Sequence, residues 1–452
     1  MRARRCAVLL TAAVTLLAGC GQYAGVHDRL AGGGNGLQPG ADGSEAGDAS
    51  GDSGSGAGPG GGGPGSGSGG PGGSGGPGGA GDTTGVTGDT ITIGIHAPLT
   101  GAAPLKAESF NAGKELYWRY GNNGKPITVY GRKIKVVFAD DRYRPSHARQ
   151  VCQQMAEQSK AFALIGGGGT DQIQACARYA AGKGIPYMSA GVTEIGLRGL
   201  KNYFAASQSY PTQARLLARY IKRLGHRDAS KVAAVITNSP NFDDTVKAFK
   251  SAYPGVTVFR PDKSEPGRTM GSRLCTGTQK NYDVVFPLAA PTYYLEMAAA
   301  APCKPQYVGV GVSMGLDTVA STGCQAGGAT ENGLFFSPAP AFEDARQGKW
   351  DPRFMKAARA AGVNADDILW LLWGQSKVLH DLLLRAGKGL SRQKFIATTE
   401  RARVRTNVFP ELAYSPSNHF GARSVNVLRN VCQRRGNAAG YYKTEHAFVS
   451  SF

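Results

Sequence analysis

Four glycines followed by two polar residues are the first sign of ligand chemistry in this sequence. The glycines occupy residues 166–169, directly after the apolar stretch 161–165, and Thr170 and Asp171 open the next predicted helix. Backbone N–H groups at a helix N-terminus attract anions, and the Thr170 hydroxyl can donate a further hydrogen bond. The pattern therefore predicts an anion site, with a tight strand-to-helix turn capped by Thr170 as the alternative.

A second candidate is Ser313, which lies in the G-x-S-x-G sequence of residues 311–315. In α/β-hydrolases this spacing places a nucleophilic serine on a turn between a strand and a helix. Acids and histidines follow in the order that a triad needs: Asp366 or Asp367, then His380 or His419. Residues 316–330 are rich in Gly, Thr and Ser, however, and do not predict the required helix. A serine hydrolase is therefore the disfavoured alternative, and we expect that the protein is not an enzyme.

Other catalytic motifs are incomplete. Ser391 and Lys394 form an S-x-x-K pair, but the Lys-Thr-Gly sequence that accompanies it in penicillin-binding enzymes is absent. We predict instead that Ser391 caps the start of a helix. The seven histidines include no H-E-x-x-H sequence and no close pair, so the sequence predicts neither a metal nor another cofactor.

The N-terminus has the features of an export signal. Basic residues at 2, 4 and 5 precede an apolar stretch from Ala7 to Leu17, and Leu17-Ala18-Gly19-Cys20 ends it. This ending resembles the lipobox of bacterial lipoproteins, in which the Cys thiol receives a diacylglycerol. The resemblance implies cleavage before Cys20 and lipid anchoring at the extracytoplasmic face of the cell membrane. The apolar stretch is shorter than the about 20 residues of a spanning helix.

A glycine-rich segment follows the predicted anchor. Residues 31–85 contain 27 Gly, and such a composition buries too little surface to fold, so we predict that residues 21–87 form a disordered tether. The rest of the chain is strongly basic: residues 88–452 carry 47 basic and 26 acidic residues, a net charge of +21. This charge favours anionic ligands or surfaces. The export signal and the lack of a dense basic helix argue against nucleic acid as the partner.

Strands and helices alternate twice along the folded part. Strands are predicted at 91–95, 133–139, 161–165 and 185–189, and again at 231–237, 255–259 and 282–288, with helices between them. This alternation is typical of parallel sheets built from right-handed βαβ units. About 365 residues are too many for one core. We therefore predict an α/β protein with two Rossmann-like lobes.

Six cysteines fall in the folded part, and an even number in an exported chain predicts disulfides. Cys152 and Cys176 lie on neighbouring predicted helices, and Cys275 and Cys303 repeat this arrangement. We predict that each of these pairs forms a disulfide, which leaves Cys324 to pair with Cys432.

An ordered set of short motifs resembles the type I periplasmic binding proteins, in particular the leucine/isoleucine/valine-binding family of ABC importers. It begins with residues 91–101 (ITIGIHAPLTG) and continues through 111–113, 130–134, 139–141, 164–167, 184–189 and 231–235. The resemblance implies two lobes joined by three crossovers. Lobe 1 would comprise residues 88–208 and about 338–408, and lobe 2 residues 209–337 and about 409–452.

The resemblance also implies a function and a site. A solute would be captured between the lobes and passed to an ABC permease, by a protein that acts as a monomer without a cofactor. Thr170 matches a hydroxyl that holds the ligand carboxylate, Gly191 and Thr193 match positions that hold the carboxylate and ammonium, and Phe242 matches an aromatic that covers the ligand. For Phe242, a place in the core of helix 241–252 is the alternative.

Three positions depart from the family pattern. Gly311 stands where the family has a carboxylate for the ligand ammonium, and Lys106 and Ala289 stand where it has aromatic residues. Lys106 favours a ligand with an extra negative charge or a carbonyl, unless it is a solvated side chain. We therefore expect a small polar or anionic organic solute other than leucine, isoleucine or valine. A ligand-sensing or interaction lipoprotein with the same fold is the alternative function.

Overall fold

The computed structural model describes residues 81–275 and 282–452. The predicted signal peptide, Cys20 and most of the predicted tether lie outside the described residues. Within those two ranges, no helix is both long enough and apolar enough to cross a membrane. The fold begins before the predicted boundary at residue 88, because the Asp82 carboxylate pairs with the Arg392 guanidinium and Val86 packs against the core.

The first sheet is built from the first run of alternating strands and helices. In chain order the elements are β1 (Thr90–Ala97), α1 (Ala107–Tyr120), β2 (Thr128–Val129), β3 (Arg132–Asp140), α2 (Pro145–Glu157), β4 (Ala163–Gly166), α3 (Thr170–Gly182), β5 (Tyr187–Ser189) and β6 (Tyr203–Ala205). The strands lie in the order β2-β3-β1-β4-β5-β6. Every neighbouring pair is parallel except β2 with β3. β1 is buried along nearly its whole length, as expected for a central parallel strand.

The second sheet repeats this pattern. Its elements begin with α4 (Tyr210–Arg223), β7 (Val232–Ile236), α5 (Asp243–Ala252), β8 (Thr257–Phe259), α6 (Gly267–Cys275), β9 (Val284–Leu288), α7 (Pro291–Ala299), β10 (Gln306–Val310), α8 (Asp317–Gln325) and β11 (Leu334–Ser337). The chain continues with α9 (Phe342–Arg346), α10 (Arg353–Ala360), α11 (Asp367–Ala386), α12 (Arg392–Thr399), β12 (Arg403–Val404), β13 (Leu412–Ala413), β14 (Val425–Val431) and β15 (Tyr441–Val449).

Seven strands form the second sheet, in the order β15-β14-β11-β10-β9-β7-β8. The five from β8 to β11 are parallel, whereas β14 and β15 are antiparallel additions at one edge. The sequence did not predict these last two strands. They are joined directly to each other, without an intervening helix, and so lack the βαβ alternation on which the prediction rested.

The chain passes between the two sheets three times. It leaves the first sheet between β6 and α4, and returns to it with α10 and α11, which pack against α1. It then rejoins the second sheet at β14. Phe420 still bridges Ala205 of the first sheet, so the last passage comes after residue 420 and later than the predicted boundary at 409.

Helix α11 is largely buried, and the cap of α12 and the three disulfides agree with the sequence prediction. Trp370 and Trp373 of α11 are fully buried, and Trp370 Nε1 donates to the Pro340 carbonyl at 3.0 Å. Ser391 caps α12 by accepting from the backbone N–H of Lys394 at 3.3 Å. The disulfides join the predicted pairs: Cys152–Cys176, Cys275–Cys303 and Cys324–Cys432.

Candidate functional site

A cavity of about 310 Å³ lies where strands of both sheets end. Its lining includes Tyr143 after β3, Thr170 after β4, Thr237 after β7, Ala289 after β9 and Gly311 after β10. Open parallel sheets bind ligands at these carboxyl ends. The volume falls in the range of small-molecule sites, about 300–1,000 Å³.

One side of the cavity is a polar wall, which we define as Gly169, Thr170, Asp171 and Gln172. Gly169 has a φ of 78°, and a Cβ there would lie 2.0 Å from Gln172 Oε1, so only glycine fits this turn. Helix α3 begins at Thr170, which is 7% exposed. Its N-terminal N–H groups and the Thr170 hydroxyl form the end of a helix suited to an anion.

Three buried side chains, joined by hydrogen bonds, lie behind the polar wall. The Asp141 carboxylate pairs with His96 Nδ1 at 2.8 Å, and His96 Nε2 bonds the Tyr187 hydroxyl at 2.8 Å. All three residues are fully buried. A Cβ on Gly166 would lie 1.8 Å from the Tyr187 hydroxyl. Glycine is therefore required at residue 166 because a larger residue would displace these hydrogen-bonded side chains, and not because of the backbone conformation.

Asp171 lines the cavity, but its carboxylate is occupied by the opposite lobe. It accepts hydrogen bonds from Asn241 Nδ2 and Lys263 Nζ, each at 2.6 Å. A carboxylate with two such partners offers little free charge to a solute. In this conformation Asp171 acts as a contact between the lobes.

The opposite side is an apolar wall, which we define as Leu288, Ala289, Ala290, Val310 and Met314. Ala289 and Gly311 both line the cavity, and these are positions where the resemblance places an aromatic and a carboxylate. The charged lining residues within the described chain are Asp171, Asp262 and Lys263. Lys263 pairs with Asp171, so these two charges largely neutralise each other. The polar wall forms one end of the cavity, and the apolar wall forms most of the rest.

Three tyrosines in the lining were missed by the sequence prediction: Tyr143, Tyr210 and Tyr293. Burial raises the pKa of Tyr210 to about 12, raises that of Tyr293 to about 12, and raises that of Tyr143 as well. All three therefore stay neutral at physiological pH and can donate hydrogen bonds. Within the described residues, the buried Tyr293 hydroxyl has no hydrogen-bond partner. Tyr143 follows β3 by three residues, and this position beside the carboxyl end of a strand could have identified it from the sequence.

Phe242 lines the cavity from the second lobe. It ends a 3₁₀ turn (Pro240–Phe242) that precedes α5, so the helix predicted at 241–252 begins at Asp243 and Phe242 lies just before it. Its ring centroid is 6.3 Å from that of Tyr210. The two rings form an aromatic corner beside the polar wall.

Three predicted ligand residues do not line the cavity. The Thr193 hydroxyl donates to the Asp244 carboxylate at 2.9 Å, which is another contact between the lobes. The Gly191 N–H donates to the Ser207 hydroxyl at 2.6 Å. Lys106 is exposed at the start of α1, and its ammonium lies 3.9 Å from a Glu108 carboxylate oxygen.

Ser313 lies in the cavity lining, on a 3₁₀ turn between β10 and α8. Helix α8 shows that the prediction of no helix in residues 316–330 was wrong, because Asp317–Gln325 is helical despite its Gly and Thr content. The two candidate histidines bond elsewhere. His380 Nδ1 bonds the Tyr117 hydroxyl at 2.8 Å, and His419 Nδ1 bonds the Tyr203 carbonyl at 2.9 Å.

Two acids lie behind the apolar wall. Asp317 begins α8, and its backbone N–H donates to the Asp367 carboxylate at 2.6 Å. Burial raises the pKa of Asp317 to about 6. Burial and the nearby Asp317 charge raise the pKa of Asp367 well above its usual value. This region therefore carries carboxyl groups that resist ionisation.

The two sheets, the three chain passages and the cavity at the strand ends define a two-lobed solute-binding protein of the type I fold. Comparison with family models agrees: residues 90–435 match the model described as periplasmic binding protein. The chain belongs to this family. A search of curated proteins finds no match.

Solved structures with the same fold come from several bacteria. The chain is similar to a fatty acid ABC transporter substrate-binding protein from Thermomonospora curvata (TM-score 0.66, 16% identity, covering 82% of this chain and 95% of that one). It is also similar to an ABC transporter solute-binding protein from Rhodopseudomonas palustris in complex with 3,4-dihydroxybenzoic acid (TM-score 0.62, 16% identity, covering 80% of this chain and 99% of that one). A leucine-binding protein from Thermotoga maritima is a third neighbour (TM-score 0.60, 17% identity, covering 78% of this chain and 97% of that one).

Proposed function

We propose that this protein captures a small organic acid with an apolar body and delivers it to an ABC importer. The observation that carries the proposal is the division of the cavity. The polar wall offers a helix N-terminus and the Thr170 hydroxyl to a carboxylate. The apolar wall offers aliphatic side chains to the rest of the molecule.

The same cavity disfavours an α-amino acid. Gly311 carries no carboxylate for an ammonium group, Asp171 already accepts from Asn241 and Lys263, and the Asp262 carboxylate already accepts from Asn238 Nδ2. A buried ammonium without a partner is costly. Two of the three similar proteins are named for a fatty acid and a dihydroxybenzoic acid, which share a carboxylate on an apolar body, and the third is named for leucine. The proposal narrows the sequence-based expectation of a polar or anionic solute.

Thermal-shift screening followed by calorimetry tests this proposal. Benzoate, hydroxybenzoates and short-chain fatty acids are compared with leucine and with neutral benzyl alcohol. A carboxylic acid without an amino group is expected to raise the melting temperature by mass action, and leucine and benzyl alcohol to have no effect. Tight leucine binding, with no response to the acids, would overturn the proposal.

We also propose that the protein works outside the cytoplasm, as a monomer attached to the membrane through a lipid on Cys20. The support is the sequence ending Leu17-Ala18-Gly19-Cys20 and the glycine-rich segment after it. Metabolic labelling with a fatty acid is expected to tag the protein and to fail in Cys20→Ala. A labelled Cys20→Ala chain would contradict the anchor without affecting the solute proposal.

A further inference from the structure

A basic cleft lies on the first lobe, far along the chain from the residues of the solute cavity. It has a volume of about 330 Å³ and lies between the end of α11 and helix α12. Its lining is Arg385, Lys394, Ala397, Thr398, Arg401 and Ala402. Three of these six residues are cations and none is an acid.

Most of the positive charge of this cleft is not neutralised by the protein. Arg385 pairs with Asp381 on its own helix. Lys394, Arg401 and the neighbouring Lys388 are exposed, and none forms an ion pair within the described residues. Residues 388–410 contain one acid and six basic residues, of which Arg392 pairs with Asp82, and Arg403 and Arg405 pair with Glu411. The acid in this range, Glu400, lies 3.2 Å from His419 Nε2.

The described chain begins beside this cleft. Asp82 is fixed to the start of α12: its carbonyl accepts from the Arg392 N–H at 2.8 Å, and its N–H donates to Gln393 Oε1 at 2.8 Å. The Arg392 guanidinium also donates to the carbonyls of Ala161 and Phe162. Lys394 is two residues further along the same helix. The first described residues therefore contact α12, the helix that carries Lys394 of the basic cleft.

We propose that this basic cleft, with Lys388, is a docking surface for the anionic phospholipid head groups of the membrane. The inference rests on the membrane attachment in the proposed function, since the anchor would keep this surface near the bilayer. Exposed phosphates complement a cleft with three cations and no acid. Each Lys or Arg near an anionic membrane strengthens binding by about fivefold, and salt screens this effect. Several cations would therefore orient an already tethered protein without holding it irreversibly.

Vesicle binding tests the surface separately from the lipid anchor. The chain starting at residue 21 keeps the tether and all described residues but lacks the lipid. It is mixed with vesicles of phosphatidylcholine alone, or of equal parts phosphatidylcholine and phosphatidylglycerol, and sedimented at low and physiological salt. We expect binding to the anionic vesicles only, weakened by salt.

Two triple variants of equal charge provide the control. The first triple variant removes the proposed surface through Lys388→Gln, Lys394→Gln and Arg401→Gln. The second removes three exposed cations on α4 and α5, through Arg219→Gln, Lys247→Gln and Lys250→Gln. The first variant is expected to lose affinity for anionic vesicles by about tenfold or more, and the second by less than about twofold.

Equal losses in the two variants would overturn the proposal, because net charge alone would then explain the binding. Binding to purified anionic wall polymer, with none to the vesicles, would also overturn it and assign the surface to the wall. The thermal shift with the solute is measured on both variants and is expected to be unchanged. A failure of vesicle binding is therefore distinct from a failure of solute capture.

Discussion

The two walls of the cavity are built at equivalent ends of similar sheets, yet they differ in chemistry. The polar wall ends in a glycine turn and a helix N-terminus, and buried hydrogen bonds among Asp141, His96 and Tyr187 lie behind it. The apolar wall carries aliphatic residues, and behind it lie two carboxyl groups whose pKa values are raised. One wall is suited to bind a charged group and the other to contact apolar groups. Two sheets of similar topology therefore form a cavity with one polar and one apolar side.

The largest expected effect is at Gly166, which supports the polar wall. A Cβ at this position would lie 1.8 Å from the Tyr187 hydroxyl and 2.9 Å from His96 Nε2. We expect Gly166→Ala to lower the free energy of unfolding by about 3 kcal/mol, because the buried hydrogen bonds must separate. Urea unfolding with the disulfides intact measures this.

The neighbouring glycine is the control for that prediction. At Gly167 the nearest atom to a new Cβ is the Ala97 Cβ at 3.7 Å, an ordinary contact. Gly167→Ala is expected to change the free energy of unfolding by less than about 0.5 kcal/mol. Equal losses in the two variants would mean that the turn, and not the polar chain behind it, requires glycine.

Asp317 tests the region behind the apolar wall. Its pKa is about 6 in the folded protein against an ordinary value of 3.8, so the folded state binds the proton more tightly. Stability should therefore fall as pH rises from about 4 to about 6 and then level off. We expect Asp317→Asn to raise the free energy of unfolding at pH 7.5 by about 3 kcal/mol, since the pKa difference is about 2 units and each unit corresponds to about 1.4 kcal/mol.

The advantage of Asp317→Asn is expected to disappear near pH 4, where the native residue is also neutral. Asparagine keeps an oxygen that can accept from the Tyr442 N–H, as Asp317 does at 2.8 Å. Unfolding midpoints measured across this pH range give the comparison. An advantage that did not change with pH would assign the effect to packing.

Thr170 tests the polar wall as a binding surface. Loss of its hydroxyl in Thr170→Val is expected to weaken binding of a carboxylate solute by about tenfold, because a hydrogen bond to a charged group contributes about 1.5–3 kcal/mol. Calorimetry with the best acid from the screen measures it. If affinity were unchanged, the Thr170 hydroxyl would serve only the turn.

Thr193→Val is the matched variant for Thr170→Val. Its hydroxyl contacts Asp244 outside the cavity lining. We expect Thr193→Val to lower solute affinity less than Thr170→Val does, because it removes only a contact between the lobes. A larger effect at Thr193 would restore the ligand role that the family resemblance gave it.

The smallest expected effect is at Lys106. Its side chain is exposed and lies outside the cavity lining. We expect Lys106→Gln to change solute affinity by less than about twofold, because a solvated charge contributes little. A strong loss, specific to dicarboxylates, would support the sequence-based interpretation that Lys106 selects an extra negative charge.

The sequence by itself determined the parallel sheets, the disulfide pairs and the position of Thr170. These follow from patterns that are local or that repeat along the chain: strands alternating with helices, cysteines on neighbouring helices, and a polar residue after a glycine turn. Open parallel sheets also bind ligands at the carboxyl ends of their strands, and the cavity lies there.

Only the tertiary structure decided which residues face the cavity. Asp171 and Thr193 are polar and lie close to the strand ends, yet each contacts the opposite lobe through a partner between 51 and 92 residues away in the chain. Tyr143 and Tyr293 enter the lining because the lobes approach each other. The physical reason is that a side chain's role depends on the surface brought against it, and that surface belongs to a distant part of the chain.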